Sequence, residues 1–158
     1  MIEQQFGIEI YEPGNAAGFT RDIRSELAKI LLSRTGRCLA AALRFHQTQP
    51  TKQPILVMPY EENDCNAEEV AVTQGSSQSV VLFTPATRGS SCSLGKPATL
   101  PQEILVHELV HSLRRVSGHM HQNWLNNKLG LISGYGNTEE FLAILVTNIF
   151  ISDVTNPH

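Results

Sequence analysis

The chain has few of the features that would place it in a familiar class of protein. Its 158 residues contain three cysteines, Cys38, Cys65 and Cys92, and no two of them stand in a CxxC spacing. An odd number without that spacing argues against a cysteine zinc site and against a full disulfide framework. A single Cys65–Cys92 bridge between two polar, turn-rich segments stays open, with free thiols as the alternative.

The sequence also lacks a surplus of positive charge and a long apolar run. Its formal net charge is -3, so no broad basic surface is available to neutralise nucleic-acid phosphates. Nowhere do about 18 apolar residues stand together, as a membrane-spanning helix requires. The first residues, MIEQQFGIEIYEPGNA, contain early acids and no apolar stretch, so we do not expect a secretory signal there. Neither nucleic acid nor a membrane span is expected.

What remains is the composition of an ordinary globular domain. Hydrophobic residues make up 41% of the chain and charged residues 17%, which is enough apolar material for one core. The length fits a single domain. We expect an N-terminal extension over residues 1–18 and one domain over residues 19–158.

Hydrophobic periodicity gives the order of helices and strands. Apolar residues at helical spacing predict helices over 19–33, 37–47, 100–117 and 137–153. Short apolar runs bounded by proline or turn residues predict strands over 54–60 and 78–85. A break is expected at Thr35-Gly36, and residues 62–69 and 86–99 are expected to be loops.

The most informative stretch is PQEILVHELVHSLRR, in which two histidines stand four residues apart. Positions i and i+4 of a helix lie one turn apart on one face, so His107 and His111 can converge on one zinc ion. Glu108 lies about 100° round the helix and would contact a water on that ion without being a ligand. It would take the proton of this water as the water attacks a carbonyl. The alternative is a core helix whose polar side chains find other partners.

A catalytic zinc site needs a third protein ligand, and here the local spacing does not supply one. The pattern HExxHxxGxxH would need Gly at 114 and His at 117, where the chain has Arg114 and Ser117, so the metzincin arrangement is excluded. His119 and His121 follow the expected helix end, and we expect both of them on the surface or lining a pocket.

Two acids at the start of the last helix are better candidates. Glu139 and Glu140 open an apolar helix that can pack against the motif helix and project a carboxylate towards the histidines. The alternative for Glu140 is a capping box with Asn137, in which its carboxylate would turn back to the start of its own helix. With Glu140 as ligand, Glu139 would be an acid of the cap region or would hold one histidine in orientation.

The histidine pair and the later stretch YGNTEEFLA resemble the gluzincin metallopeptidases, and among them the lethal-factor-type domains. In those domains a Tyr-Gly precedes a helix that carries Glu-Phe-x-Ala. The resemblance implies Glu140 as the third zinc ligand and Tyr135 as the residue that stabilises the transition state. The gap from tyrosine to glutamate is shorter here, and the alternative for Tyr135 is an exposed residue in a Gly-Tyr-Gly turn.

The wider layout, over residues 19–152, is similar to small zincin effectors that bacteria deliver through secretion systems. It implies an α+β, zincin-like fold, in which a small mixed or antiparallel sheet packs on the HExxH helix and on a C-terminal ligand-bearing helix. The implied function is a zinc-dependent endopeptidase, secreted or injected as part of a larger effector or toxin. Implied partners are a protein or peptide substrate, paired with strand 78–84, and an immunity protein or delivery machinery.

Two other functions stay open. The first is a zinc amide hydrolase that acts on cell-wall peptide, and the second is a zincin-fold binding module without turnover. A binding module has no need of Glu108, so its presence favours an enzyme.

Overall fold

A computed structural model of the chain describes residues 1–47, 53–60, 67–72, 78–85, 100–120 and 137–156. These residues form five helices: α1 (Glu3–Phe6), α2 (Phe19–Leu31), α3 (Arg34–Gln47), α4 (Pro101–Val116) and α5 (Thr138–Thr155). They also form four strands: β1 (Ile8–Ile10), β2 (Ile55–Met58), β3 (Glu68–Ala71) and β4 (Ser79–Leu82). The α+β class expected from the sequence is confirmed.

The described strands form one mixed sheet in the order β1-β2-β4-β3. Strands β1 and β4 run parallel to β2, whereas β3 runs antiparallel to β4 at one edge. Alternate side chains of β2, Ile55 and Val57, are fully buried, which is the pattern of a sheet with one face on the core. Both strands expected from the apolar runs are therefore present, with shorter bounds.

Helix α4 lies at the centre of the fold. It packs against α2, α3 and α5 and also against β3 and β4. Its residues Leu105, Val106 and Leu109 have no exposed surface. Polar side chains on a helix with so many neighbours need hydrogen-bond partners or a ligand, because burying them without either is costly.

Helix α5 begins immediately after Asn137, as expected. The Asn137 Oδ1 atom accepts a hydrogen bond from the main-chain N–H of Glu140 at 2.9 Å, which is the bond of an N-cap. Ala143 and Phe150 bury the inner side of the helix in the core. None of the helices in the described residues is long and apolar enough to cross a membrane.

The N-terminal segment packs into the same core as the rest of the chain. Phe6 is fully buried and Ile8, in β1, is almost so. The Glu12 carboxylate accepts hydrogen bonds from main-chain N–H groups at the start of α2. Residues 1–18, expected to be an extension, thus contribute a helix, an edge strand and a cap to the domain.

The turn between α2 and α3 differs from the expected break at residues 35–36. Helix α3 already begins at Arg34, and the Ser33 Oγ atom accepts a hydrogen bond from the Gly36 N–H at 2.8 Å. A Cβ atom at Gly36 would lie 1.9 Å from the carbonyl oxygen of Ile30. The glycine therefore permits the close approach of two helices and does not end one.

Strand β3 is absent from the sequence prediction, which assigns residues 62–69 to a loop. Glu68 and Glu69 disfavour a strand by local preference, and pairing with β4 overrides that preference. Because β4 is paired on both sides, by β2 and by β3, the prediction that strand 78–84 pairs with a substrate is wrong. No described strand pairs with the outer side of β3 or of β1, so these are the two edges of the described sheet, and β3 is the edge that packs against α4.

The substitution Gly36→Ala tests the helix contact. The added methyl group would collide with main-chain atoms of Ile30, so one helix must shift. Overpacking of this kind costs about 1–3 kcal/mol and outweighs the gain of about 1 kcal/mol in helix propensity. We expect a lower free energy of unfolding in urea. Gly14→Ala, where the new Cβ meets nothing within 4 Å, is the control, and equal effects of both substitutions would contradict this account.

Candidate metal centre

Helix α4 carries the histidine pair expected from the sequence, and its bounds match the predicted 100–117 closely. Its first turn is closed by Glu103, whose Oε2 atom accepts a hydrogen bond from the main-chain N–H of Leu100 at 3.0 Å. Pro101 occupies the first turn, where its missing N–H leaves no bond unmade. The helix is thus fixed at its start and by packing along its length, which gives its side chains defined directions.

The side chains of His107, His111 and Glu140 converge on one point. The Nε2 atoms of the two histidines lie 3.1 Å apart. The Glu140 carboxylate lies 3.4 Å from the His107 Nε2 atom through Oε2 and 3.3 Å from the His111 Nε2 atom through Oε1. One ligand atom from each residue falls within 4.8 Å of the others. Two helices that are distant in the sequence therefore meet at this point.

Glu140 contacts the histidine pair through its side chain and takes part in the helix cap through its main-chain N–H. Asn137 bonds its N–H, as described above, while its carboxylate points to the two imidazoles. The reciprocal capping-box bond is thus not the role of this carboxylate. Hydrogen bonds from His107 and then His111 hold the pKa of the Glu140 carboxyl well below its usual range.

The three side chains suit a zinc ion. Two imidazole nitrogens and one carboxylate are a donor set that zinc binds in catalytic sites, with a fourth position left for water. The Nε2 separation of 3.1 Å agrees with two nitrogens that each lie about 2.0–2.1 Å from a common ion. The His107 Nδ1 atom is buried and has no hydrogen-bond partner among the described residues. Within the described residues, the buried ring of His107 is therefore not fully hydrogen-bonded, as a purely structural core histidine would be.

Glu108 is buried beside the site, with 7% of its surface exposed. Loss of water around the carboxyl is the largest influence and raises the pKa of Glu108 to about 7, and the charge of Glu140 acts in the same direction. His107 opposes the rise, as does a hydrogen bond from the main-chain N–H of Glu69 in β3. A carboxyl group with a pKa near 7 can accept a proton efficiently at neutral pH.

Two ion pairs around the site are not anticipated by the sequence. Arg114 bonds Glu139 through Nε and Nη2, at 2.9 and 3.0 Å. Arg115 bonds Glu69 in the same forked manner, at 2.6 and 2.8 Å. The sequence shows the two arginines as the basic end of a helix, and their partners, 25 and 46 residues away, are set by the tertiary structure. Glu139 thus pairs with Arg114, and the role of this acid towards a histidine stays a prediction.

The remaining predicted residues fall in different places. His119 is exposed, as expected, and its Nδ1 atom lies 3.1 Å from the Ser117 Oγ atom. Tyr135 and His121 lie outside the described residues, and so do Cys65 and Cys92 with the bridge considered between them. Cys38 is exposed and is a free thiol.

A protein-family model matches residues 8–144 of this chain: Peptidase M91, described as an effector protein. The matched range begins in β1 and ends in α5, so it includes the histidine pair, Glu108 and Glu140. No curated protein and no solved structure gives a significant match to the chain.

The buried carboxyl of Glu108 predicts a particular pH dependence of the metal-free protein. Its pKa of about 7 in the folded state lies above the ordinary glutamate value of 4.5, so the folded state binds the proton more tightly. The free energy of unfolding should therefore fall by about 3 kcal/mol as the pH rises from about 4.5 through 7. In Glu108→Gln the side chain cannot ionise, so this decrease should be absent. Urea unfolding with a chelator present, between about pH 4.5 and 8, measures it.

The control for this experiment is Glu9→Gln, which removes an exposed carboxylate of β1. Its stability should change with pH in parallel with that of the wild type. A Glu108→Gln curve that also runs parallel would contradict the burial of an ionisable Glu108.

Proposed function

Because the chain belongs to the Peptidase M91 family of effector proteins, we propose that it is a zinc-dependent endopeptidase of the gluzincin type that cleaves a protein inside a target cell. The observation that carries the proposal is the convergence of two imidazoles and a carboxylate within 4.8 Å, next to a buried glutamate. Peptidase chemistry follows from the family, and the metal and the residue roles are our proposal.

In this proposal His107, His111 and Glu140 hold the zinc ion. Zinc, when bound, supplies Lewis acidity that polarises a peptide carbonyl and lowers the pKa of water. Placing the histidines one turn apart on α4 and the carboxylate on α5 makes the site depend on the packing of two helices. Packed helices keep ligands in place better than a loop does.

Glu108 is the general base. Its carboxylate takes a proton from the water whose oxygen attacks the carbonyl carbon of the scissile bond, and returns a proton to the leaving amine as the C–N bond breaks. The burial of Glu108 supports this role, because it raises the pKa of the carboxyl towards the pH at which the enzyme works. The main-chain N–H of Glu69 stabilises the ionised form of this carboxyl, which a base needs before it accepts a proton.

Tyr135 is proposed to donate a hydrogen bond to the oxyanion that develops on the substrate carbonyl. This role rests on the resemblance of the stretch around Tyr135 to lethal-factor-type domains. A phenol is suited to it because its O–H is a donor that stays protonated at neutral pH.

The substrate is proposed to bind in extended form along the outer edge of β3. The register of β3 with β4, together with the bond from the Val72 N–H to the Gln78 carbonyl, turns the main-chain groups of Glu69 and Ala71 away from β4. The Glu69 N–H bonds Glu108, whereas the Glu69 carbonyl and both main-chain groups of Ala71 have no partner among the described residues and are proposed to bind the peptide. In this arrangement Glu69 would contact both the catalytic base, through its N–H, and the substrate, through its carbonyl.

Delivery into a target cell, toxin action and recognition by an immunity protein or by delivery machinery complete the proposal. Membership of an effector family supports delivery and a protein substrate. The net charge of -3 gives no reason to expect nucleic acid as a partner.

The central test compares Glu108→Gln with Glu140→Gln. Glu108→Gln should bind zinc as the wild type does and lose at least about a hundredfold in kcat, because only the proton acceptor is gone. Glu140→Gln should lose zinc itself, with an affinity lower by at least about a hundredfold, since supporting residues alone are worth 10–100-fold. Zinc is measured by competition with a chromophoric chelator, and cleavage by mass spectrometry of a digested peptide library.

Three outcomes separate the possible functions. Cuts between ordinary residues support the endopeptidase, cuts in cell-wall peptides alone support an amide hydrolase, and zinc binding without any cut supports a binding module. Unchanged cleavage by Glu108→Gln would remove the role given to this residue.

The edge-strand proposal is tested by Ala71→Pro. Proline removes an N–H that faces away from β4, so the ladder within the sheet is kept while a bond to the peptide is lost. We expect KM for a cleaved library peptide to rise about tenfold and zinc affinity to stay as in the wild type. Ala71→Ser keeps the N–H and serves as the control. A folded Ala71→Pro variant with wild-type KM would exclude binding along this edge.

A further inference from the structure

Two consecutive arginines end the helix that carries the histidines. Arg114 and Arg115 lie in the last turn of α4, three and four residues after His111. Neighbouring positions on a helix point about 100° apart, so the two guanidinium groups reach different parts of the fold. Each meets a carboxylate on an element that contributes to the proposed site.

Arg114 reaches the first turn of α5. Its partner Glu139 directly precedes Glu140, and the Glu139 side chain is 4% exposed. The same guanidinium also donates from Nη2 to the carbonyl oxygen of His119, just beyond the end of α4. Arg114 thus joins the end of the histidine helix to the residue next to the proposed third ligand.

Arg115 reaches strand β3. Its partner Glu69 has a side chain that is 2% exposed and also accepts a hydrogen bond from the Ser79 hydroxyl in β4. The Ser79 Oγ atom lies 2.9 Å from the Ser112 Oγ atom, and Ser112 belongs to α4. The hydrogen-bonded network around Glu69 therefore connects β3 and β4 to α4. Since the Glu69 N–H also bonds Glu108, Arg115 is linked through one residue to the proposed base.

We propose that the two arginines divide the assembly of the site: Arg114 positions α5 so that Glu140 meets the histidines, and Arg115 positions β3 beside Glu108. Both are positioning residues, and this inference rests on the proposed zinc peptidase function. Arginine suits the task because its planar fork fixes both the distance and the orientation of a carboxylate, whereas lysine fixes only a charge.

The division predicts separate effects of two pairs of variants. Arg114→Lys and Glu139→Gln should weaken zinc binding about tenfold or more, because Glu140 loses its alignment, and should leave amide exchange in β3 unchanged. Arg115→Lys and Glu69→Gln should bind zinc within about twofold of the wild type and exchange the β3 amides faster. Zinc affinity is read by chelator competition and exchange by mass spectrometry.

Arg21→Lys is the matched control, because Arg21 pairs with Asp22 at the exposed surface of α2. It should change neither measurement. The thermal stability of every variant is measured as well, so that a general loss of folding is recognised. Kinetics on a cleaved library peptide should show a lower kcat for the Arg115 and Glu69 variants at saturating zinc.

The inference is overturned if all four variants keep wild-type zinc affinity and exchange, or if both pairs change both measurements equally. Failure of the proposed function has a different signature. A wild-type protein that binds no zinc, or a Glu108→Gln variant that cleaves normally, defeats the peptidase mechanism directly. If the wild type binds no zinc, the proposed role of Arg114 in positioning Glu140 fails as well. If only the Glu108→Gln result contradicts the mechanism, the zinc affinities of the arginine variants still test the roles of the two arginines.

Discussion

The packing of α5 against α4 is the contact on which the candidate site depends. Neither helix carries a complete set of ligands: α4 supplies two imidazoles and α5 one carboxylate. The start of α5, from which Glu140 reaches the histidines, is held by the Asn137 cap and by the pair between Arg114 and Glu139. A shift of α5 by one turn, about 5.4 Å, would remove the carboxylate from the site.

The charges around the site explain why so many acids can lie there. Glu69 and Glu139 are each neutralised by a forked arginine, and Glu140 faces two imidazoles. In the part of the chain that the structure describes, no arginine or lysine pairs with Glu108, and burial raises the pKa of its carboxyl. A bound divalent cation would stabilise the negative charge that accumulates at this point. The arrangement therefore disfavours an ionised Glu108 in the metal-free protein and makes it a better base near neutral pH.

The sheet brings the base and an open edge together. Strand β3 is antiparallel to β4 and lies at the edge of the described sheet, against α4. Its main chain bonds Glu108 on the outer side, while its Glu69 side chain is fixed by Arg115. Any peptide that adds to this edge would run past the carboxylate of Glu108. The same strand would thus position the substrate and the catalytic group.

The sequence by itself determined the histidine helix, because i and i+4 spacing within an apolar run fixes both the secondary structure and the face. It also determined the strongly apolar last helix, with Asn137 or Thr138 as its cap, and the two short apolar strands, for which local patterns suffice. The residue pattern offered Glu139 and Glu140 as candidates for the third ligand, and the resemblance pointed to Glu140. The closeness of Glu140 to the histidines is visible only where two helices pack.

Only the tertiary structure decided which strand lies at the edge, because β3 has two adjacent acids and little strand preference of its own. It alone decided the partners of Arg114 and Arg115, since contacts between distant residues leave no periodic signal. It also brought Phe6 and Ile8 of the N-terminal segment into the core, where pairing of β1 with β2 and burial of Phe6 outweigh a weak local pattern. Long-range packing, which local patterns do not encode, is the common physical reason.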